Sequence, residues 1–217
     1  KLGMIANVNT SEEEFGYLVS DYAGWKVRRL GENDEAEIRS VAYVLAQAFH
    51  EPVLLFDDIF FRFFQAEVLS GLVYRLRNSP PDRYACLVVE AIGDEMETQL
   101  VEVVDVTGQR DEIILEYFPG AEEHLYMSGI AVLNNFGRRK VATALLKACD
   151  VLSHLWGYKY MAERAYDDDW GARKLYTNAG YSVVSGDPHW MTSWVGKRRR
   201  VLMVKTSAHF SPEDIHS

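Results

Sequence analysis

Residues 126–155 read YMSGIAVLNNFGRRKVATALLKACDVLSHL, and the stretch divides into a strand, a tight turn and a helix. Tyr126 to Val132 is apolar and partly β-branched, the composition of a buried strand. Asn134, Asn135 and Gly137 are turn residues. Val141, Leu145, Ala148, Leu152 and Leu155 then recur at helical spacing and make one apolar face. Arg138, Arg139 and Lys140 stand where this helix begins. The first turn of a helix has N–H groups without intrahelical partners and the positive end of the dipole, so with basic side chains beside it the turn suits phosphate. Ala142 and Ala144 are small and let a ligand approach the backbone. Strand–turn–helix units are also common in proteins that bind nothing there, and basic residues at a helix start are often simply solvated. A second motif, further along, decides between the two.

Composition narrows the field. With 217 residues and 24.8 kDa the chain suits one domain with a substantial core. Hydrophobic residues make up 48%, ordinary for a soluble globular protein. A net charge of −9 and a pI near 5.2 argue against nucleic-acid binding, and an acidic surface suits basic acceptors such as lysine-bearing proteins or amines. Cys86 and Cys149 show neither metal-ligand spacing nor a disulfide framework and read as small core residues in a reducing compartment. No metal site is expected, no run approaches the length of a membrane span, and no signal or transit peptide is visible. Because the chain starts at Lys1, removal of a targeting segment is expected.

Taken in order, residues 1–21 are polar and read as a flexible lead-in, residues 22–207 as one domain, and residues 208–217 as a polar tail. Trp25 to Leu30 alternates as the first strand. Asn33 and Asp34 cap a helix with Ile38, Val41, Leu45 and Ala48 on one face. Phe56 to Leu76 is apolar almost all round in its first half and reads as a buried helix, its charges excluding a membrane span. Tyr84 to Ile92 and Gln99 to Val106 are strands, antiparallel neighbours of Tyr126–Val132. Ile113 to Leu115 is expected as a short extra strand. Gly157 ends the central helix. Lys159 to Ala165, Tyr181 to Val184 and Arg199 to Thr206 are further strands, and residues 185–196 form a loop holding His189, Trp190, Met191 and Trp194.

The second motif is Asp169-x-x-Ala172-x-x-Leu175-Tyr176-x-x-x-Gly180-Tyr181, a helix with acidic residues at its positive end, closed by Gly180. It resembles the signature Asn-x-x-Ala-x-x-Leu-Tyr-x-x-x-Gly-Phe/Tyr of the GCN5-related N-acetyltransferase (GNAT) superfamily, with Asp in place of the usual Asn. The turn at residues 137–142 stands where that family has Gln/Arg-x-x-Gly-x-Gly/Ala. Gly137 replaces Gln/Arg, Lys140 replaces the central glycine, and Ala142 fits. The pattern GRRKVATALL is most similar to the plastid-type GNATs of plants and algae.

The resemblance implies a GNAT fold of the α/β (α+β) class: a mixed, mostly antiparallel sheet, splayed around the acetyl-CoA site and flanked by helices. It implies acetyl-CoA as co-substrate. Ile130, Ala131 and Val132 would pair by backbone with the pantetheine arm, and Arg138, Arg139, Lys140, Val141, Ala142 and Thr143 would meet the pyrophosphate. Asp169, Trp170 and Gly171 would stand on the far side of the cofactor, with Arg173 near them, and Tyr176 would give a proton to the leaving thiolate. Ser128-Gly129 is the expected break in the sheet. The base stays open: Glu163 reads as a solvated or salt-bridged strand residue, a water chain ending at Glu122, Glu123 or His124 would also serve, and His189 is a lone loop histidine. By resemblance the acceptors are protein lysine ε-amines and protein N-termini, in the plastid stroma (otherwise the cytoplasm), with no nucleic acid and no membrane insertion. Two alternatives remain: an arylalkylamine acetyltransferase taking small amines such as serotonin, and a non-catalytic acyl-CoA-binding regulator.

Overall fold

A computed structural model describes residues 18–49, 57–91, 100–132, 140–190 and 198–207. The elements in chain order are β1 (Leu18–Tyr22), β2 (Trp25–Arg29), α1 (Glu35–Phe49), α2 (Asp57–Asn78), β3 (Tyr84–Ala91), β4 (Leu100–Gln109), α3 (Glu112–Leu115), β5 (His124–Val132), α4 (Val141–Leu155), β6 (Tyr160–Tyr166), α5 (Trp170–Asn178), β7 (Ser182–Gly186) and β8 (Arg200–Thr206). The chain forms two compact units: Lys1–Asp105 with Ile130–Ala148, and Val106–Gly129 with Cys149–Ser217. Parts of β4 and β5 belong to each. Together the strands give the mixed, mostly antiparallel sheet flanked by helices that the two motifs imply.

In the first unit the strand order is β1-β2-β3-β4-β5. β1 and β2 form a hairpin through Ala23 and Gly24, both at positive φ, and β2 pairs with β3 from Trp25↔Ala91 to Arg29↔Leu87. β1 thus begins at Leu18, within the stretch expected as lead-in; its polar residues gave no alternation, but a hairpin edge needs only backbone partners. Asp34 caps α1, its Oδ1 accepting from the Glu37 N–H at 3.0 Å. Ile38, Val41 and Leu45 point into a core shared with Leu72, Tyr84, Cys86, Val88, Val103 and Ala131, while Ala48 is exposed. One buried ion stands among these residues. The Asp105 carboxylate accepts from Arg75 Nη2 at 2.8 Å and from Tyr84 Oη at 3.0 Å, which satisfies a charge the core cannot otherwise hold.

α2 corrects the expectation of a buried helix. Val68, Leu69, Leu72, Val73 and Leu76 meet the core on one stripe. Phe63 and Tyr74 face solvent, along with Arg62, Glu67 and Arg77. The sequence carries apolar residues on more of the helix circumference than the core covers.

In the second unit the strand order is β4-β5-β6-β8-β7. β6 pairs with β8 antiparallel along its whole length, Tyr160↔Thr206 to Tyr166↔Arg200. Phe118 stacks on Tyr160 at 4.5 Å and packs with Ile114, Ala162 and Leu202. Residues 112–115 form a single helical turn, not the expected strand, because the Asp111 carboxylate caps it by accepting from the Ile113 and Ile114 N–H groups. α4 and α5 end alike. The Tyr158 and Tyr181 N–H groups reach back to Ser153 and Tyr176 carbonyls across Gly157 and Gly180, at φ 77° and 93°, closing left-handed caps. On α4, Leu152 is buried but Leu155, expected on the apolar face, is exposed beyond the last covered turn.

Candidate active site

The sequence-predicted residues fall into two groups, one in each unit. In the first, Ala131 is buried and Ile130 half-buried at the end of β5; Val132 closes the strand. Val141 is buried and Ala142 and Thr143 half-buried in the first turn of α4, where the Ala144 N–H makes a helical bond of 3.0 Å to the Lys140 carbonyl. Arg138 and Arg139 lie outside the described residues. Lys140 is exposed and carries φ 63°, the left-handed region. It therefore holds the conformation a glycine adopts freely, at the position where the family motif has its central glycine.

The second group is organised by the start of α5. Asp169 Oδ1 accepts from the Ala172 N–H at 2.9 Å, so the aspartate that stands in place of the motif's asparagine caps α5. Trp170 is 75% exposed, with the Arg173 guanidinium 5.2 Å from its ring centre, and Gly171 is exposed beside it. Arg173 is also anchored by Asp167, at 3.0 Å, and Asp167 binds Arg199 at 2.5 Å. Two turns on, Tyr176 is buried, its ring edge-on to Tyr181 at 5.8 Å. Tyr181 is pinned in turn, its hydroxyl 3.6 Å from Met127 Sδ and 3.8 Å from Met161 Sδ.

β5 and β6 are parallel neighbours, paired at Leu125↔Met161, Tyr126↔Ala162 and Met127↔Glu163. Among the described residues the pairing stops there, one residue before the break expected at Ser128-Gly129. The last pair contains Glu163. It was read as solvated or salt-bridged, and the structure corrects that: Glu163 is fully buried, and neither carboxylate oxygen has a partner in ordinary hydrogen-bond geometry among the described residues. Burial pushes its carboxyl up to about 8, and the Tyr176 side chain draws it partly back. Alternation explains the burial. Met161, Glu163 and Ala165 share one face of a strand that β5 and β8 flank, opposite Lys205, Met203 and Val201. A glutamate at the middle of that run is buried.

Of the other candidate bases, Glu122 is exposed, Glu123 half-buried, and His189 exposed. His124 is fully buried with both ring nitrogens unpartnered among the described residues, between Phe118 and Tyr126. Burial lowers its pKa, against Asp111 and Glu123, which favours the neutral ring. Trp190 is exposed, and Met191 and Trp194 lie outside the described residues.

No model of a known protein family matches the chain. A protein of Arabidopsis thaliana, GCN5-related N-acetyltransferase 10, chloroplastic, is 60% identical over 201 residues, 91% of this chain and 78% of that one. Among solved structures, a GNAT-family acetyltransferase from Streptococcus pneumoniae has a TM-score of 0.58 at 13% identity, over 85% of this chain and 99% of that one. The ribosomal-protein-S5-alanine acetyltransferase of Vibrio fischeri has a TM-score of 0.58 at 12% identity, over 89% and 98%. At such identity the two structures show the fold, and the Arabidopsis relative shows the family. With the GNAT fold and 60% identity to that relative, this chain belongs to the GCN5-related N-acetyltransferase family and is an acetyltransferase that uses acetyl-CoA.

Proposed function

We propose that this acetyltransferase modifies primary amines of proteins, lysine ε-amines and N-termini, in the plastid, with Tyr176 as the proton donor to the departing thiolate. The observation that carries the catalytic part is Tyr176 itself: it is buried on a helix capped by Asp169 and stands beside Glu163, where β5–β6 pairing ends. A fork between parallel strands suits an extended pantetheine arm, because strand backbone beyond it lacks a neighbour on that side. Ile130, Ala131 and Val132 would pair with that arm. Arg138, Arg139 and Lys140 and the first-turn amides of Val141, Ala142 and Thr143 would hold the pyrophosphate, and Asp169, Trp170 and Gly171 would stand at its far side.

The chemistry asks for a neutral amine, a donor for the oxyanion and a proton for sulfur. The amine nitrogen bonds to the acetyl carbon, the C–S bond breaks with its electron pair on sulfur, the Tyr176 hydroxyl protonates that sulfur, and the nitrogen sheds one proton that makes good the one the tyrosine gave.

Two observations support protein acceptors. The chain carries a net charge of −9, which favours basic substrates, and the Vibrio fischeri neighbour is named for an alanine of a ribosomal protein. The chloroplastic relative supports the plastid. Small arylalkylamines are the second reading; Phe63, Tyr74 and Trp190 each face solvent. The test is mass spectrometry of three acceptors offered with acetyl-CoA: peptides with free N-termini, N-blocked lysine peptides, and serotonin. Acetylation of the peptides well above serotonin supports the proposal. Preference for serotonin contradicts it.

A further inference from the structure

Glu163, buried on β6 beside Tyr176, has no role in the chemistry above. A fully buried carboxyl without a hydrogen-bond partner among the described residues is costly to place in a core, and its strand neighbours are apolar: Met127 and Met203 across, Met161 and Ala165 beside it. An ion at that position would need a cation. Arg164 on the same strand points to the opposite face, toward Asp187 at 3.8 Å, and Lys205, on the same face, is held by Asp150 at 2.6 Å. Among the described residues the titratable groups that interact with Glu163 are Tyr176 on α5, Tyr181 after it and Tyr126 on β5, and Cys149 and Asp150 of α4 act on Tyr181 as well. None of these is a free cation.

We propose that Glu163 is the proton reservoir behind Tyr176, returning to the tyrosine oxygen the proton that the thiolate takes. The inference rests on Tyr176 being the acid. The protonated carboxyl also acts before the reaction: as a donor toward Oη, it turns the tyrosine O–H outward. In the step itself, the C–S pair collects on sulfur, sulfur takes the Tyr176 proton, and the Tyr176 oxygen takes the Glu163 proton. The carboxylate left behind is reloaded through the Tyr176 oxygen by the proton that the amine sheds, so that the net transfer is one proton from nitrogen to sulfur. Glu163 touches neither acceptor nor thioester in this scheme and is a positioning residue. Burial keeps its carboxyl near 8, so at neutral pH the reservoir is mostly full, whereas an ordinary glutamate would be empty.

The experiment compares wild type, Glu163→Gln, Tyr176→Phe and the double variant, with acetyl-CoA and a slow peptide acceptor, from pH 6 to 9.5. Glutamine is isosteric but has no proton to pass. The relay predicts that Glu163→Gln lowers kcat about tenfold or more with an unchanged KM for acetyl-CoA. It predicts that the double variant is no slower than Tyr176→Phe, and that the fall in wild-type kcat above pH about 8 disappears in Glu163→Gln. Wild-type turnover by Glu163→Gln, or losses that multiply in the double variant, overturns the relay while leaving Tyr176 as the acid. Wild-type turnover by Tyr176→Phe overturns the acid role itself. Should Glu163→Gln fail to fold, infrared titration of the Glu102→Gln variant, which removes another buried carboxyl raised to about 8, reads Glu163 directly. A carboxylic-acid band that persists at neutral pH and is lost near pH 8 supports the relay, and its absence at pH 7 overturns it.

Discussion

Tyr176 is where the account is most exposed to test. Phenylalanine keeps the ring against Tyr181 and removes one oxygen. Tyr176→Phe is expected to keep acetyl-CoA affinity, measured by calorimetry, and to lose rate near the lower end of the roughly 10²–10⁴-fold typical of general acid catalysis. Lys140 offers a second single-residue test. Its left-handed φ of 63° is strained for any residue with a side chain. Lys140→Gly should therefore raise the melting temperature, by the equivalent of roughly 1 kcal/mol, while Lys140→Ala should not; a destabilised glycine variant would show that the strain is not there. His124 gives the pH dependence. Its folded pKa lies below the ordinary value of 6.5, so as pH falls through 6.5 the unfolded chain binds a proton that the native ring refuses. Stability present above pH 6.5 is thus lost below it. Melting curves from pH 7.5 to 5 should show that slope, and His124→Gln should flatten it; an equal slope in the variant would refute this. Glu102, buried and pushed up to about 8, works in the opposite sense: its contribution is full below about 4.5 and fades as pH rises through 8.

The helix starts and the turns were the parts most legible in the sequence, because their signals are local. Asp34 and Asp169 cap their helices as their side-chain chemistry dictates, and Gly157 and Gly180 take the positive φ that ends a helix. Removing the Asp169 carboxylate, in Asp169→Ala, should cost about 1 kcal/mol and, because α5 has only nine residues, should lower kcat by loosening Tyr176. A variant with wild-type melting and rate would detach the cap from the site. What sequence could not reveal depends on neighbours. The one-turn helix at Glu112–Leu115 rests on a cap at Asp111, β1 on a hairpin partner, and the exposure of Phe63 on which stripe of α2 the core reaches. Glu163 was misread for the same reason: a charged letter suggests solvent, and only β8 and β5 on either side make the position interior. Gly108 is a further example. A Cβ there would meet Tyr158 Oη at 1.8 Å, so Gly108→Ala should force the Tyr158 ring aside and lower the melting temperature. The basic turn keeps its expectation at this scale: replacing Arg138, Arg139 and Lys140 together by Ala should weaken acetyl-CoA binding by several kcal/mol at most, less in high salt.

At the scale of the whole molecule, the fold class followed from two short motifs and element order, and the 60% identity to the Arabidopsis relative places the chain in its family. Acceptor choice is a property of surface rather than of motif, and there the net charge of −9 favours basic peptides; the preference should fade with added salt. The central claim is acetyl transfer from acetyl-CoA to protein amines through Tyr176. Its most direct measurement is single-turnover acetylation of a lysine- and N-terminus-bearing peptide, followed by mass spectrometry, with wild type and Tyr176→Phe each saturated with acetyl-CoA. The account predicts that both bind the co-substrate alike, that wild type acetylates the peptide, and that the variant does so about a hundredfold more slowly. Equal rates, or a wild type that binds acetyl-CoA and leaves the peptide unmodified, would contradict it.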